Sequence, residues 1–120
     1  MRQAAAAALA AAALAGSAPA AVAPARVQVS AKEFFFSLSR ARLAAGPAVV
    51  ELVDLGEDPH DLRLQRIGGG RVWRTPVVFP GAYRDLEVTL LPGRYRLWCG
   101  IANHRALGMR AVLIVVPRKR

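Results

Sequence analysis

Cys99 is the only cysteine of this 120-residue chain, and it opens the spacing Cys99-x4-His104-x4-Met109 near the C-terminal end. The same stretch, Leu97-Trp98-Cys99-Gly100-Ile101-Ala102-Asn103-His104-Arg105-Ala106-Leu107-Gly108-Met109, holds one of the two histidines and the only methionine besides Met1. The second histidine, His60, stands well upstream in Glu57-Asp58-Pro59-His60-Asp61-Leu62. A thiolate, two imidazoles and a thioether form the donor set of a trigonal His2Cys copper site with a weak axial Met. Every soft or imidazole donor after Met1 enters that one set, and none is left over. A Cys/His2 set also suits zinc, which neither affinity nor ligand type excludes.

These donors need rigid elements to bring them together. After residue 25 strand signals dominate, and no long stretch has helical period. Residues 26–30 alternate polar and apolar, and Phe34, Phe36 and Leu38 share one face of a second strand. A turn at Ala45-Gly46-Pro47 leads into a strand over residues 48–54, followed by the loop 55–59. Residues 60–65 alternate again, which predicts a strand with His60, Leu62 and Leu64 facing inward. Gly68-Gly69-Gly70 reads as a turn, without the strand-to-helix context of a phosphate loop. Residues 71–83 hold Pro76 and Pro80 and give the weakest pattern. Residues 84–90 alternate as a strand, and Leu91-Pro92-Gly93 is a turn. In residues 94–99, Tyr95, Leu97 and Cys99 fall on one face and Arg94 and Arg96 on the other, so Cys99 is expected inward at a strand end. The apolar run 111–116 reads as a central strand stopped by Pro117. Seven to eight short strands in under a hundred residues predict an all-β fold, a Greek-key β-sandwich.

The run from Tyr95 to Met109, followed by Arg110 to Val116, resembles the ligand loop of cupredoxins, the small blue copper proteins. Pro59-His60-Asp61 is similar to that family's first-histidine segment, and the resemblance extends over residues 27–116. It implies one type 1 copper ion held by His60, Cys99, His104 and Met109. Cys99 is then the strong thiolate and electron conduit, His60 and His104 complete the trigonal plane, and Met109 is the long axial ligand. The gap between Cys99 and His104 resembles that of longer-looped members such as rusticyanin and sulfocyanin. Asn103 stands where many members have Gly or Pro. Asp61 stands where an Asn that ties the two loops together often follows the first histidine. Asp61 is accordingly expected either to accept hydrogen bonds from the ligand loop or to be a surface carboxylate. His104 is expected to show its ring edge at the surface among Ala102, Ala106 and Leu107.

Residues 1–25 read as a secretory signal, with Arg2, an apolar run from Ala4 to Leu14, and small-residue cleavage sites at Ala18-Pro19-Ala20 or Ala23-Pro24-Ala25. The apolar run is mostly alanine, is broken by Gly16, Ser17 and Pro19, and is short for a membrane anchor. Residues 26–120 are then one exported copper-binding domain, periplasmic, extracellular or on the outer face of the cytoplasmic membrane. A single cysteine forms no internal disulfide, and binding a metal removes the liability of a free thiol in an oxidising compartment. The formal charge of +9 favours an acidic partner or an anionic membrane surface. Among the 17 basic residues only Lys32 and Lys119 are not Arg, a bias that coding preference also produces.

The leading function is a monomeric electron carrier that accepts one electron from a protein donor and passes it to a protein acceptor. No nucleic-acid partner is expected. Copper oxidases and nitrite reductases resemble cupredoxins but need further copper ions on several more histidines, and both histidines here are already assigned. A binuclear centre needs a second bridging cysteine. The alternative is a copper-binding or copper-delivery module, although the exposed Met- or His-rich stretches common in transport proteins are missing.

Overall fold

Period-two alternation becomes strand pairing from Ala25 onward. In the computed structural model, residues 3–5 and 22–119 are described, and most of the leader expected over residues 1–25 lies outside them. Among the described residues there are nine strands and one short helix: β1 (Ala25–Lys32), β2 (Phe35–Leu38), β3 (Arg42–Ala44), β4 (Gly46–Asp54), β5 (Arg63–Arg66), β6 (Val72–Arg74), β7 (Tyr83–Leu90), β8 (Gly93–Trp98), α1 (His104–Leu107) and β9 (Arg110–Val116).

The strands form a β-sandwich of two mixed sheets, in the orders β2-β1-β4-β7 and β3-β9-β8-β5-β6. The pairs β1/β4 and β3/β9 are parallel, and the other pairs are antiparallel. Inward positions of one sheet supply Val27, Val29, Val50 and Leu52, and those of the other supply Leu64, Tyr95, Leu97, Leu113 and Val115, all buried. Each fully buried leucine contributes about 1.5–3 kcal/mol relative to exposure, which pins the register of its strand.

Three details differ from the sequence expectation. Strands β3 and β6 are three residues long, too short to show a period, and they raise the count from the expected seven to eight to nine. The turn expected at 45–47 is shorter. Gly46, at φ +101°, already pairs with Leu90, a backbone angle that glycine adopts without strain. His60 does not open a regular strand: it makes an isolated antiparallel bridge to Val78, and β5 begins only at Arg63. Strand β9 is interior as expected, between β3 and β8, yet Val112 stays exposed on its outer side.

Candidate metal centre

Two backbone frameworks converge at one end of the sandwich. The first is the segment between β4 and β5. The His60 N–H donates to the Val78 carbonyl at 3.0 Å and the Val78 N–H donates to the His60 carbonyl at 2.7 Å. Two residues on, the Leu62 N–H donates to Thr75 Oγ1 at 3.0 Å and the Thr75 N–H to the Leu62 carbonyl at 2.9 Å. His60 is thereby clamped to the 75–78 segment and is fully buried. The second framework is the loop from β8 to β9. Its neck is closed by the Cys99 N–H donating to the Met109 carbonyl at 3.1 Å. Inside it, the Met109 N–H donates to the His104 carbonyl at 3.1 Å, and the His104 N–H to the Ile101 carbonyl at 3.0 Å. Gly108, at φ +125°, makes the tight return into β9 and lies so close to β2's leading segment that a Cβ there would sit 2.9 Å from the Phe34 carbonyl oxygen.

Together these frameworks place one ring nitrogen of His60, Sγ of Cys99 and one ring nitrogen of His104 within 4.8 Å of one another. Cys99 Sγ is 3.7 Å from His104 Nδ1. Donors about 3.5–4 Å apart suit a trigonal ion with bonds of about 2.0–2.3 Å. The two imidazole rings lie 5.1 Å apart between centroids, tilted by 57°, and the Phe34 ring lies 4.9 Å from that of His104, tilted by 52°. All three donors are buried, His104 least so at 8 % exposure. Met109 is completely buried at the loop's neck.

Carboxylates sit on the far sides of both rings. Glu33 Oε1 is 3.2 Å from His60 Nε2, and Asp58 Oδ2 is 3.9 Å from His104 Nε2. Glu33 is itself held, because its Oε1 accepts the N–H of Asp58 at 2.6 Å and of Glu57 at 2.7 Å. Those donors, Asp58 foremost, hold its carboxyl down from an ordinary 4.5 to about 2, against the opposing effect of burial. An ionised Glu33 favours the His60 tautomer with the proton on Nε2, an assignment made from the hydrogen-bond network. His60 Nδ1 is then a buried nitrogen with a lone pair and no hydrogen-bond partner. Buried polar atoms are nearly always satisfied, so this orphan nitrogen inside a Cys/His cluster has its lone pair available for a metal bond. Burial foremost pushes the Cys99 thiol up, so a metal binding there displaces its proton.

Asp61 is buried and spans the two frameworks. Its Oδ1 accepts the Gly100 N–H at 2.5 Å, and its Oδ2 lies 3.5 Å from Arg63 Nε. Around the site's rim Ala102, Ala106 and Leu107 are exposed, with Leu107 at 51 %. Glu33 carries no local sequence signal, because it lies 27 residues before His60 and meets it only through the packing of the β1–β2 turn against the 54–60 loop.

No family model matches the sequence, and no curated protein matches it closely. Solved structures do match. The reduced auracyanin of the photosynthetic bacterium Roseiflexus castenholzii superposes with a TM-score of 0.64 at 17% identity, over 80% of this chain and 100% of that one. Auracyanin A, a "blue" copper protein from Chloroflexus aurantiacus, gives 0.58 at 16% identity over 78% of this chain and 100% of that one. A multicopper oxidase gives 0.56 at 17% identity, covering 77% of this chain but only 42% of the oxidase.

Proposed function

From a chain with the cupredoxin fold, we propose a mononuclear type 1 copper protein that carries single electrons between redox proteins. One observation carries the reading. His60, whose Nδ1 is buried and unpartnered, offers a ring nitrogen within 4.8 Å of Cys99 Sγ and of a His104 nitrogen. His60, Cys99, His104 and Met109 would hold the ion, through two imidazoles, a thiolate and a thioether. Copper bound there supplies a Cu(II)/Cu(I) couple, for which this mixed soft and imidazole set suits both oxidation states.

The chain's own residues do the rest. The His60–Val78 clamp and the Cys99–Met109 neck hold the donors in place before any metal arrives, which keeps reorganisation small. Glu33 orients the His60 ring, and Asp61 ties the His60 segment to the turn after Cys99. Leu62, Leu64 and Leu97, fully buried in the same core cluster as Cys99 and Met109, keep that core dry. A carrier without substrate turnover fits better than an oxidase, because no histidine remains for a further copper ion. Residues 1–25 serve as an export signal. Among the described residues no helix is long and apolar enough to cross a membrane.

The test is the visible and electron paramagnetic resonance spectrum after adding Cu(II), with Cys99→Ser alongside. The expected result is an intense blue or green charge-transfer band with narrow copper hyperfine splitting, bleached reversibly by reductant and lost in the variant. A colourless protein, or a weak spectrum that survives loss of Cys99, overturns the carrier reading and favours the copper-delivery or zinc alternatives.

A further inference from the structure

The five strands of the β3-β9-β8-β5-β6 sheet contain no aspartate or glutamate at all. The opposite sheet carries Glu51, Asp54, Asp85 and Glu87 on β4 and β7. Register explains where the first sheet's cations point. Leu64, Tyr95, Leu97 and Leu113 face inward, so Arg63, Arg94, Arg96 and Arg110 face outward, with Arg74 beside Arg63. A general preference for arginine over lysine would not sort charge by sheet in this way.

We propose that this outer face, beside the ligand loop, is the docking surface for an acidic redox protein, and that electrons cross it at Trp98. The inference rests on the electron-carrier reading above. Its centre is an open groove of about 550 Å³ lined by Arg96, Arg105, Arg110, Ala111 and Val112. Among the described residues no carboxylate pairs with any of those three arginines. The guanidinium of Arg105 lies over the Trp98 ring, 4.9 Å from its centroid. Three of these outward groups are sequence neighbours of proposed ligands: Trp98 precedes Cys99, Arg105 follows His104 and Arg110 follows Met109. The half-buried Trp98 is thus at once on the surface and one peptide from the thiolate.

Arginine's planar fork matches carboxylates, and a one-signed face raises the encounter rate with an opposite charge. The exposed cations extend past the groove to Arg74 and Arg94, further than one small anion needs. A lipid surface would favour a wide apolar face to bury, whereas Val112 is the one strongly exposed large apolar residue on these strands. The exchange balances simply. The partner's redox group would lose one electron to the copper that His60, Cys99 and His104 would hold, and no bond within either protein would form or break.

The probe is a reduced plant-type [2Fe–2S] ferredoxin, an acidic one-electron donor, mixed with the Cu(II) protein in a stopped-flow instrument over a range of salt. The expected second-order rate falls as salt rises. At low salt the triple variant Arg96→Gln/Arg105→Gln/Arg110→Gln is slower by about tenfold or more. Arg26→Gln/Arg40→Gln/Arg84→Gln, which removes the same charge elsewhere, changes the rate far less. Trp98→Leu keeps the salt dependence and slows transfer several-fold at saturating ferredoxin. Equal losses in the two triple variants overturn the docking surface, and an unchanged rate in Trp98→Leu overturns the crossing point. Amide NMR shifts on adding ferredoxin to the chain as purified locate the contact without relying on copper. Shifts around Phe79 and Leu107 instead, or shifts on the arginine face with phosphatidylglycerol vesicles but not with ferredoxin, also overturn it. Ferredoxin shifts on the arginine face of a protein whose copper cannot be reduced would keep the surface and sink the carrier reading.

Discussion

Removing Glu33 should weaken metal binding without touching a metal ligand. Its Oε1 accepts backbone N–H groups from Glu57 and Asp58 and reaches His60 Nε2 at 3.2 Å, so one oxygen fixes both the 57–58 loop and the ring behind it. Losing the partner that orients a ligating histidine typically costs about 10–100-fold in metal affinity. Glu33→Ala removes all of these contacts and should lie near about a hundredfold. Glu33→Gln keeps an oxygen for the backbone donors but loses the charge on Nε2–H, and should lie near about tenfold. Gly56 supplies an independent route to the same defect. A Cβ there would sit 2.5 Å from Oε1 of Glu33, so Gly56→Ala displaces the carboxylate. The double variant Gly56→Ala/Glu33→Ala should then bind no more weakly than Glu33→Ala alone. The assay is competition for Cu(I) against a chromophoric chelator, with visible spectra confirming the site. Affinity for Glu33→Ala within about twofold of the parent would refute the orienting role. So would a larger loss in Asp58→Ala, whose carboxylate is half exposed and stands 3.9 Å from His104.

The other tests read stability and pH. Asp61→Ala unties the Gly100 N–H from the His60 segment and should cost about 1–3 kcal/mol in urea unfolding, with Asp61→Asn recovering part of it through the remaining oxygen. Gly108→Ala places a side chain at φ +125° and against the Phe34 carbonyl, and should cost about 1–3 kcal/mol by the same measurement. Because the folded protein holds Glu33 down at about 2 from 4.5, its carboxylate stabilises the metal-free fold fully above about pH 4.5, and that contribution is lost as pH falls towards 2. Acid titration of thermal stability should therefore be flatter across that window in Glu33→Gln than in the parent.

How much could be read from the chain before folding depended on how far apart the participants were. Cys99, His104 and Met109 share a single loop, so their spacing exposed them as a set. Their strand could be oriented as well, because Tyr95, Leu97 and Cys99 alternate with Arg94, Arg96 and Trp98. The place of His60 was also readable, but not how it is held. Its backbone pairs with Val78, in the proline-bearing segment where no period survives. Strands β3 and β6 leave no mark in the sequence because three residues cannot display alternation. Glu33 was beyond reach for another reason: nothing near it in the chain marks it, and its role exists only once the β1–β2 turn meets the 54–60 loop.

The arginine face shows the same boundary between local and global information. That Arg94 and Arg96 point away from the core follows from the period of β8 alone. That Arg63 and Arg110 join them requires β8 to lie between β5 and β9, which is topology. Once that order exists, a single register governs both the metal centre and the surface. Trp98 is paired with Arg110 and Leu97 with Ala111. A slip of one residue would turn Cys99 outward and bury Trp98. What forbids it is the burial of Tyr95, Leu97, Leu113 and Val115 on the inward face of this sheet, a set of ordinary core positions rather than the donors themselves. The packing of the sandwich thus decides which of two adjacent residues joins the His60 and His104 cluster and which faces outward.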